Sequence, residues 1–200
     1  MDAADALNRR GTALHGAPWG DVRLESLPAG KVTPLDRPAE DVIDLAVCGG
    51  ALARCVQSLA ALRRLRELSV AHVTSRQQFG RRLVAFQAVQ QHLAVLAGEV
   101  AAAEAAVRVL LDATNAVAPL VGDPRLATAR IRTSQAAEEA SRIAHQVHGA
   151  IGTAREYELH RHTMALWSWR EEFGNEHYWA DRLIAGVDPV SDLWAWIADS

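Results

Sequence analysis

FQAVQQHLAVLAGEVAAAEAAVRVLLDATNAV, residues 86–117, decides the fold. Its apolar side chains fall on two interleaved heptad series, Phe86, Leu93, Val100 and Val107 against Val89, Leu96, Ala103, Leu110 and Val117. That period puts them on one stripe of a long helix, and such a stripe packs against antiparallel neighbours.

Working outward from this stretch, the prolines mark where helices can and cannot run. Pro18, Pro28, Pro34 and Pro38 crowd the start, and none follows until Pro119. Pro38-Ala39-Glu40-Asp41 supplies a proline start with acids in the first turn, where they oppose the helix dipole, so a first long helix is expected from Ala39 to about Thr74. The Gly49-Gly50 pair inside it costs helix propensity and marks close packing or a kink. A second long helix is expected to follow Gly80, and Pro119 and Gly122 break it. A third is expected from Pro124 to the Gly149–Gly152 turn, a fourth over about 156–172 and a fifth over about 175–185. The expected fold class is therefore all-α, an up-and-down helical bundle over residues 39–200. Residues 1–38 read as the tail of a β-structure, with DVRLESL (21–27) as its one strand-like alternation.

Composition sets the outer limits. The 200 residues are 50% hydrophobic and 22% charged, enough for an ordinary core. With 24 acidic and 21 basic residues the net charge is −3, which argues against a basic face for nucleic acid. No apolar run approaches the roughly 18 residues of a membrane span, and the opening MDAADALNRRG lacks a signal peptide's apolar stretch, so the expectation is a soluble cytoplasmic chain with no membrane partner. Cys48 and Cys55, seven residues apart on a helix, sit about 10 Å from one another and cannot form a disulfide.

Common catalytic signatures are missing: no Walker loop, no GxGxxG after a strand, no GxSxG and no HExxH. His145 and His148 share a helix face with His160 and His162 nearby, yet no Cys or spaced carboxylates complete a ligand set, and no metal is expected. Two segments are more informative. SRQQFGRRLVAFQAVQQ (75–91) reads most simply as a solvated turn anchored by Phe79 and Phe86, but it carries more than a turn needs. Arg76 offers a planar fork suited to phosphate or carboxylate, and Gln87 offers an amide at the start of the next helix. QVHGAIG (146–152) ends a helix in small residues, either as a plain glycine cap or as a turn that lets a ligand approach the backbone.

These segments resemble two motifs of the acyl-CoA dehydrogenase family. SRQQFGRRLVAFQAVQQHLA is similar to Arg-x-Gln-Phe-Gly followed by Phe-Gln-x-Val-Gln and Leu-Ala, and QVHGAIGTAREYELHR to Gln-x-x-Gly-Gly-x-Gly with a Glu-Tyr-Pro-Leu-like continuation. The likeness covers about residues 40–185, the family's C-terminal helical domain. It implies a bundle that builds an oligomer and touches the pyrophosphate and adenosine of an FAD held mainly by a neighbouring subunit. By that carry-over Arg76, Phe79, Gln87, Gln146, His148, Gly149 and Ala150 are FAD-contact candidates, with Ala150 in place of the second Gly. The family's catalytic base is a Glu in a Tyr-Glu-Gly-Thr-like segment, and WREEFGNEHYW (169–179) offers Glu171 or Glu172 there, though the plainer reading of that stretch is a solvated acidic helix end. Glu40 and Asp44, in the first helix, are poorly placed for the family's other base position.

The chain is about half the family's usual length and holds at most the end of its β-domain. The resemblance therefore implies a subunit that works with a larger acyl-CoA dehydrogenase-type partner, or with further copies of itself, on an acyl thioester. The alternative is a non-catalytic subunit that assembles and stabilises that partner. Ala-rich helix faces and a Trp-rich end (Trp179, Trp194, Trp196) add an expectation of apolar surface beyond one core.

Overall fold

The computed structural model describes residues 7–22, 30, 33, 36–115 and 120–187. Helices dominate: α1 (Ala39–Ser75), α2 (Gln87–Asn115), α3 (Pro124–His148), α4 (Leu159–Glu171) and α5 (Glu176–Val187). Before them β1 (Leu7–Thr12) pairs antiparallel with β2 (Pro18–Val22), and between α1 and α2 lies a two-residue ribbon, β3 (Gln77–Gln78) against β4 (Arg81–Arg82). The all-α bundle expected over the C-terminal part is what forms.

Local chemistry explains the boundaries. Pro38 precedes α1, with Glu40 and Asp41 in its first turn. Asp123 caps α3: its Oδ1 accepts from the Arg125 N–H at 2.9 Å, and Pro124 fills the first helical position. Gly149, at φ 62°, closes the other end of α3 in a region that favours glycine. On α2 the heptad residues Leu96, Val100, Ala103, Val107 and Leu110 are buried, while Val89 and Leu93 pack at the core's edge. Val117 lies outside the described residues.

Two continuous clusters make the core. Leu62, Leu65 and Val73 of α1 meet Leu96 and Val100 of α2, Ile143 of α3, and Leu159 and Leu166 of α4. Toward the other end Cys48, Ala51 and Cys55 meet Val107, Leu110, Leu126 and Trp179 of α5. Both cysteines are free thiols, and burial pushes Cys55 up to about 11. By length and composition α1 could cross a membrane, since an 18-residue window reaches a mean hydropathy of 1.6. In the bundle its buried side chains face α2, α3 and α4.

Three expectations are corrected. The strand read at DVRLESL falls on Pro18–Val22 and shares only Asp21 and Val22 with it; residues 23–27 lie outside the described residues. Its partner LNRRGT has no apolar alternation and pairs through a turn instead, with Ala13 N–H donating to Ala17 O at 2.8 Å. Phe79 is no core anchor, because it sits at the ribbon's tip, 88% exposed, at φ 53° beside Gly80 at φ 77°. Both central residues are left-handed, as a type I′ turn requires. Trp179 is buried rather than on the surface, with Nε1 donating to Phe173 O at 3.1 Å, and Trp194 and Trp196 lie outside the described residues.

The glycine pair resolves to close packing. α1 runs unbroken through Gly49 and Gly50, and a Cβ on Gly50 would lie 2.3 Å from Cδ1 of Phe173, whereas one on Gly49 meets nothing within 4 Å. Gly50→Ala should therefore destabilise the chain by about 1–3 kcal/mol through overpacking. Gly49→Ala should stabilise it by up to about 1 kcal/mol through helix propensity. Urea unfolding of the two variants checks this, and equal midpoints would contradict it.

Candidate functional site

The ends of three helices leave a cleft of about 550 Å³. His72 and Arg76 come from the last turn of α1 and its exit, Gln78 from the ribbon, Ala88, Val89 and His92 from the start of α2, and Gln146 to Ile151 from the end of α3. The two motif segments, about 70 residues apart in sequence, are thereby joined. Arg76, Gln146, His148, Gly149 and Ala150 all line the cleft. Gln87 stands exposed at the start of α2, beside lining residues but not among them, and Phe79 points away at the ribbon tip.

Among the described residues the lining carries one guanidinium and no carboxylate. Arg76 makes no ion pair among the described residues; its backbone N–H donates to His72 O at 2.9 Å, and its carbonyl accepts from Leu83 N–H at 2.9 Å. The backbone is thus fixed while the charge is unspent. α2 has no acid in its first turn, so its N-terminal N–H groups add positive potential from the same side. Such a cleft favours an anion.

Behind Arg76 lies a histidine cluster that sequence inspection reached only in part. His148 is buried, its Nδ1 donating to Ala144 O at 2.7 Å and its Nε2 accepting from Tyr157 Oη at 3.2 Å, a tautomer assigned from these partners. Its ring stacks on His72 with centroids 4.5 Å apart. Burial holds His72 and His148 below the ordinary imidazole range, with Arg76 adding to the effect at His72 and the hydrogen bond to Ala144 O opposing it at His148. His145 is lowered likewise by burial and His160; its Nε2 donates to Thr163 Oγ1 at 3.1 Å, since that hydroxyl gives its own proton to His160 O. His72 and Tyr157 were missed, though His72 stands four residues before Arg76 on one helix face, the spacing that brings side chains together.

Glu171 and Glu172 sit elsewhere. They end α4, beside the N-terminal half of α3, and Arg130 to His148 spans about 27 Å along that helix. Glu171 is exposed. Glu172 accepts from both Arg54 Nε, at 2.8 Å, and Arg54 Nη2, and its other oxygen accepts from Ser168 Oγ at 3.1 Å. Asp44 pairs with Arg182 at 2.6 Å. The Glu172 carboxylate is therefore already neutralised by a neighbour.

Comparison with known proteins shows which family shares this sequence and fold. Residues 42–181 match the model of the acyl-CoA dehydrogenase C-terminal domain. The acyl-CoA dehydrogenase IpdE2 of Mycobacterium tuberculosis is 33% identical over 138 residues, 69% of this chain and 40% of that protein. Among solved structures, the ChsE4-ChsE5 complex from M. tuberculosis superposes with a TM-score of 0.80 at 19% identity, covering 94% of this chain and 50% of that one. Butyryl-CoA dehydrogenase from Megasphaera elsdenii gives 0.78 at 18%, covering 94% and 50%. This chain spans half or less of the length of these relatives.

Imidazoles held neutral by burial make folding pH-dependent. The unfolded chain protonates first, so stability should fall as pH drops from about 7 through the ordinary imidazole value of about 6.5 toward about 5.5. Urea midpoints across that range check the sign, with His148→Phe flattening the slope; a midpoint that rises on acidification would contradict it.

Proposed function

The chain belongs to the acyl-CoA dehydrogenase family, and from that premise we propose that it serves a flavin-dependent acyl-CoA dehydrogenase as a subunit lending contacts to an FAD shared across a subunit boundary. The observation that carries this reading is Arg76, whose guanidinium makes no ion pair among the described residues, in a cleft built from both motif segments whose described lining holds no carboxylate. The residues suit the group. A pyrophosphate brings two negative charges, and a guanidinium fork meets them with paired hydrogen bonds of about 1.5–3 kcal/mol each. Gly149, held at φ 62°, keeps the turn free of a side chain where a ligand approaches, and Gln146 offers its amide beside it.

Bound FAD supplies the hydride acceptor for α,β-dehydrogenation of an acyl thioester. This chain's part is to bind and orient: Arg76 neutralises phosphate charge, and Leu83 and Val89 present apolar surface in the same cleft. The separation of the cleft from Glu171 and Glu172 fits a subunit whose two ends face different neighbours. The surface of α2 supports association: from Ala94 to Ala105 its exposed positions are Ala94, Val95, Ala97, Gly98, Ala101, Ala102 and Ala105, with no charge among them. A larger acyl-CoA dehydrogenase-type partner or further copies of the chain would cover it, and a cytoplasmic setting goes with this reading.

One observation favours a second reading, in which the chain assembles and stabilises a partner without supplying the base. Glu172 is committed to Arg54 and Ser168, so it is poorly prepared to take a proton from a substrate α-carbon. Glu172→Gln and Glu171→Gln, each in the assembled enzyme, separate the two readings. Loss of turnover with flavin retained supports a base in this chain, and unchanged turnover in both Glu172→Gln and Glu171→Gln assigns the base to a partner.

For the flavin contact itself, Arg76→Ala should lower FAD affinity of the purified assembly about tenfold or more, equivalent to about 1.4 kcal/mol. Arg108→Ala, which removes only an exposed pair with Glu104, should leave it unchanged. Flavin retention through gel filtration reads both, and equal retention by wild type and Arg76→Ala would remove the assigned role.

A further inference from the structure

The stacked pair of imidazoles behind Arg76 is more than the flavin reading requires. His72 and His148 both line the cleft, their rings 4.5 Å apart, with Arg76 one helical turn beyond His72. We propose that this cleft binds its phosphate-bearing ligand together with a proton carried on His72, so that ligand occupancy and protonation of the His72–His148 stack are coupled. The inference rests on the anion-binding reading of the same cleft and adds its regulation.

The two rings are not equivalent. Both nitrogens of His148 are used, one by Ala144 O and the other by Tyr157 Oη. The His72 ring makes no hydrogen bond among the described residues, is only half buried, and lines the cleft. It is the ring with N–H groups to spare for a ligand oxygen.

The surroundings set the sign. From α1 the stack faces Arg76; from α2, His92; from α3, His145 and Gln146; and from the turn before α4, Tyr157, while His160 of α4 acts on His145. Carboxylates on neighbouring elements are paired with arginines. Glu158 pairs with Arg64 and, at 3.5 Å, with His162, and Glu139 pairs with Arg142 at 2.5 Å. Without a bound anion a proton on His72 therefore meets Arg76 in a half-buried setting where no described residue of the cleft lining is a carboxylate, which agrees with the depressed basicity of both rings. A phosphate diester on Arg76 supplies the missing countercharge and cancels the repulsion. Protonation must then become easier when ligand is bound, and by reciprocity the ligand must bind more tightly when His72 is protonated. Affinity rises as pH falls.

The test is imidazole NMR of the full chain, titrated with and without ADP-ribose at about 10 mM, enough to fill a millimolar site. ADP-ribose is a pyrophosphate diester and does not titrate in this range itself. His72 is assigned by loss of its signal in His72→Phe, which keeps a ring in the stack. The coupling predicts an upward displacement of the His72 titration by about 0.7 pH unit or more, with ligand bound about fivefold more tightly at about pH 5.5 than at about pH 8. In His72→Phe that pH dependence should vanish. An unmoved His72 titration while the Gly149 amide responds to ligand overturns the coupling and leaves anion binding standing. So does a His72→Phe chain that keeps the full pH dependence, which would place the proton on His92 or another group. No response at either residue overturns both the coupling and the anion-binding reading on which it rests.

Discussion

One buried cation holds the α4–α5 turn to the rest of the bundle. Arg130 on α3 is 1% exposed, and its Nη2 donates to the carbonyls of Trp169 at 3.2 Å, Arg170 at 3.3 Å, Glu172 at 3.0 Å and Gly174 at 2.7 Å. The last carbonyls of a helix have no partner within it and form the negative end of its dipole. Arg130 answers both conditions at once and binds the end of α4 to the middle of the bundle. Burial lowers the guanidinium's basicity, with Cys55 and the carboxylates of Glu172 and Glu171 acting against that effect. The turn it fixes carries Phe173 at φ 57°, a strained position for a bulky residue that persists because its ring fills the space left by Gly50. Clamp, strained turn and glycine contact are thus one device.

α3 carries the consequences of that device along its length. Its N-terminal half anchors the α4–α5 turn, and its C-terminal end supplies Gln146, His148 and Gly149 to the cleft. α4 runs back from Glu172 to Leu159, so Tyr157, just before it, reaches the His148 ring. The position of the cleft's rear wall depends in this way on a hydrogen-bond cluster about 27 Å away along α3. Rigid placement matters here, because a bidentate contact to phosphate is sensitive to small displacements.

The helices were legible because their signals are local. Proline spacing, the acids after Pro38, the heptad on α2 and the Gly149 turn each act within a few residues, and α1 and α3 lie within a residue or so of where the sequence puts them, whereas α2 starts only at Gln87 because the ribbon and a short 3-10 turn take up the residues after Gly80. The β-hairpin was displaced because its pairing depends on a turn and on Gly11 admitting the Trp19 ring, not on alternation. Of the site, the motif residues Arg76, Gln146, His148, Gly149 and Ala150 do gather in one cleft. Phe79 does not, since a short ribbon carries it outward. Arg130 could not be read at all: in sequence it is one of many arginines on α3, and its partners are carbonyls about 40 residues away. The same holds for Glu172, whose pairing with Arg54 spans 118 residues.

A structure of the flavin-loaded assembly tests the central claim most directly, by locating the FAD pyrophosphate relative to this chain. The account predicts the Arg76 guanidinium within hydrogen-bonding distance, about 2.7–3.2 Å, of pyrophosphate oxygens of an FAD held mainly by another subunit, with the Gly149 turn alongside. A pyrophosphate bound wholly by other chains, with Arg76 facing solvent or protein, would contradict it.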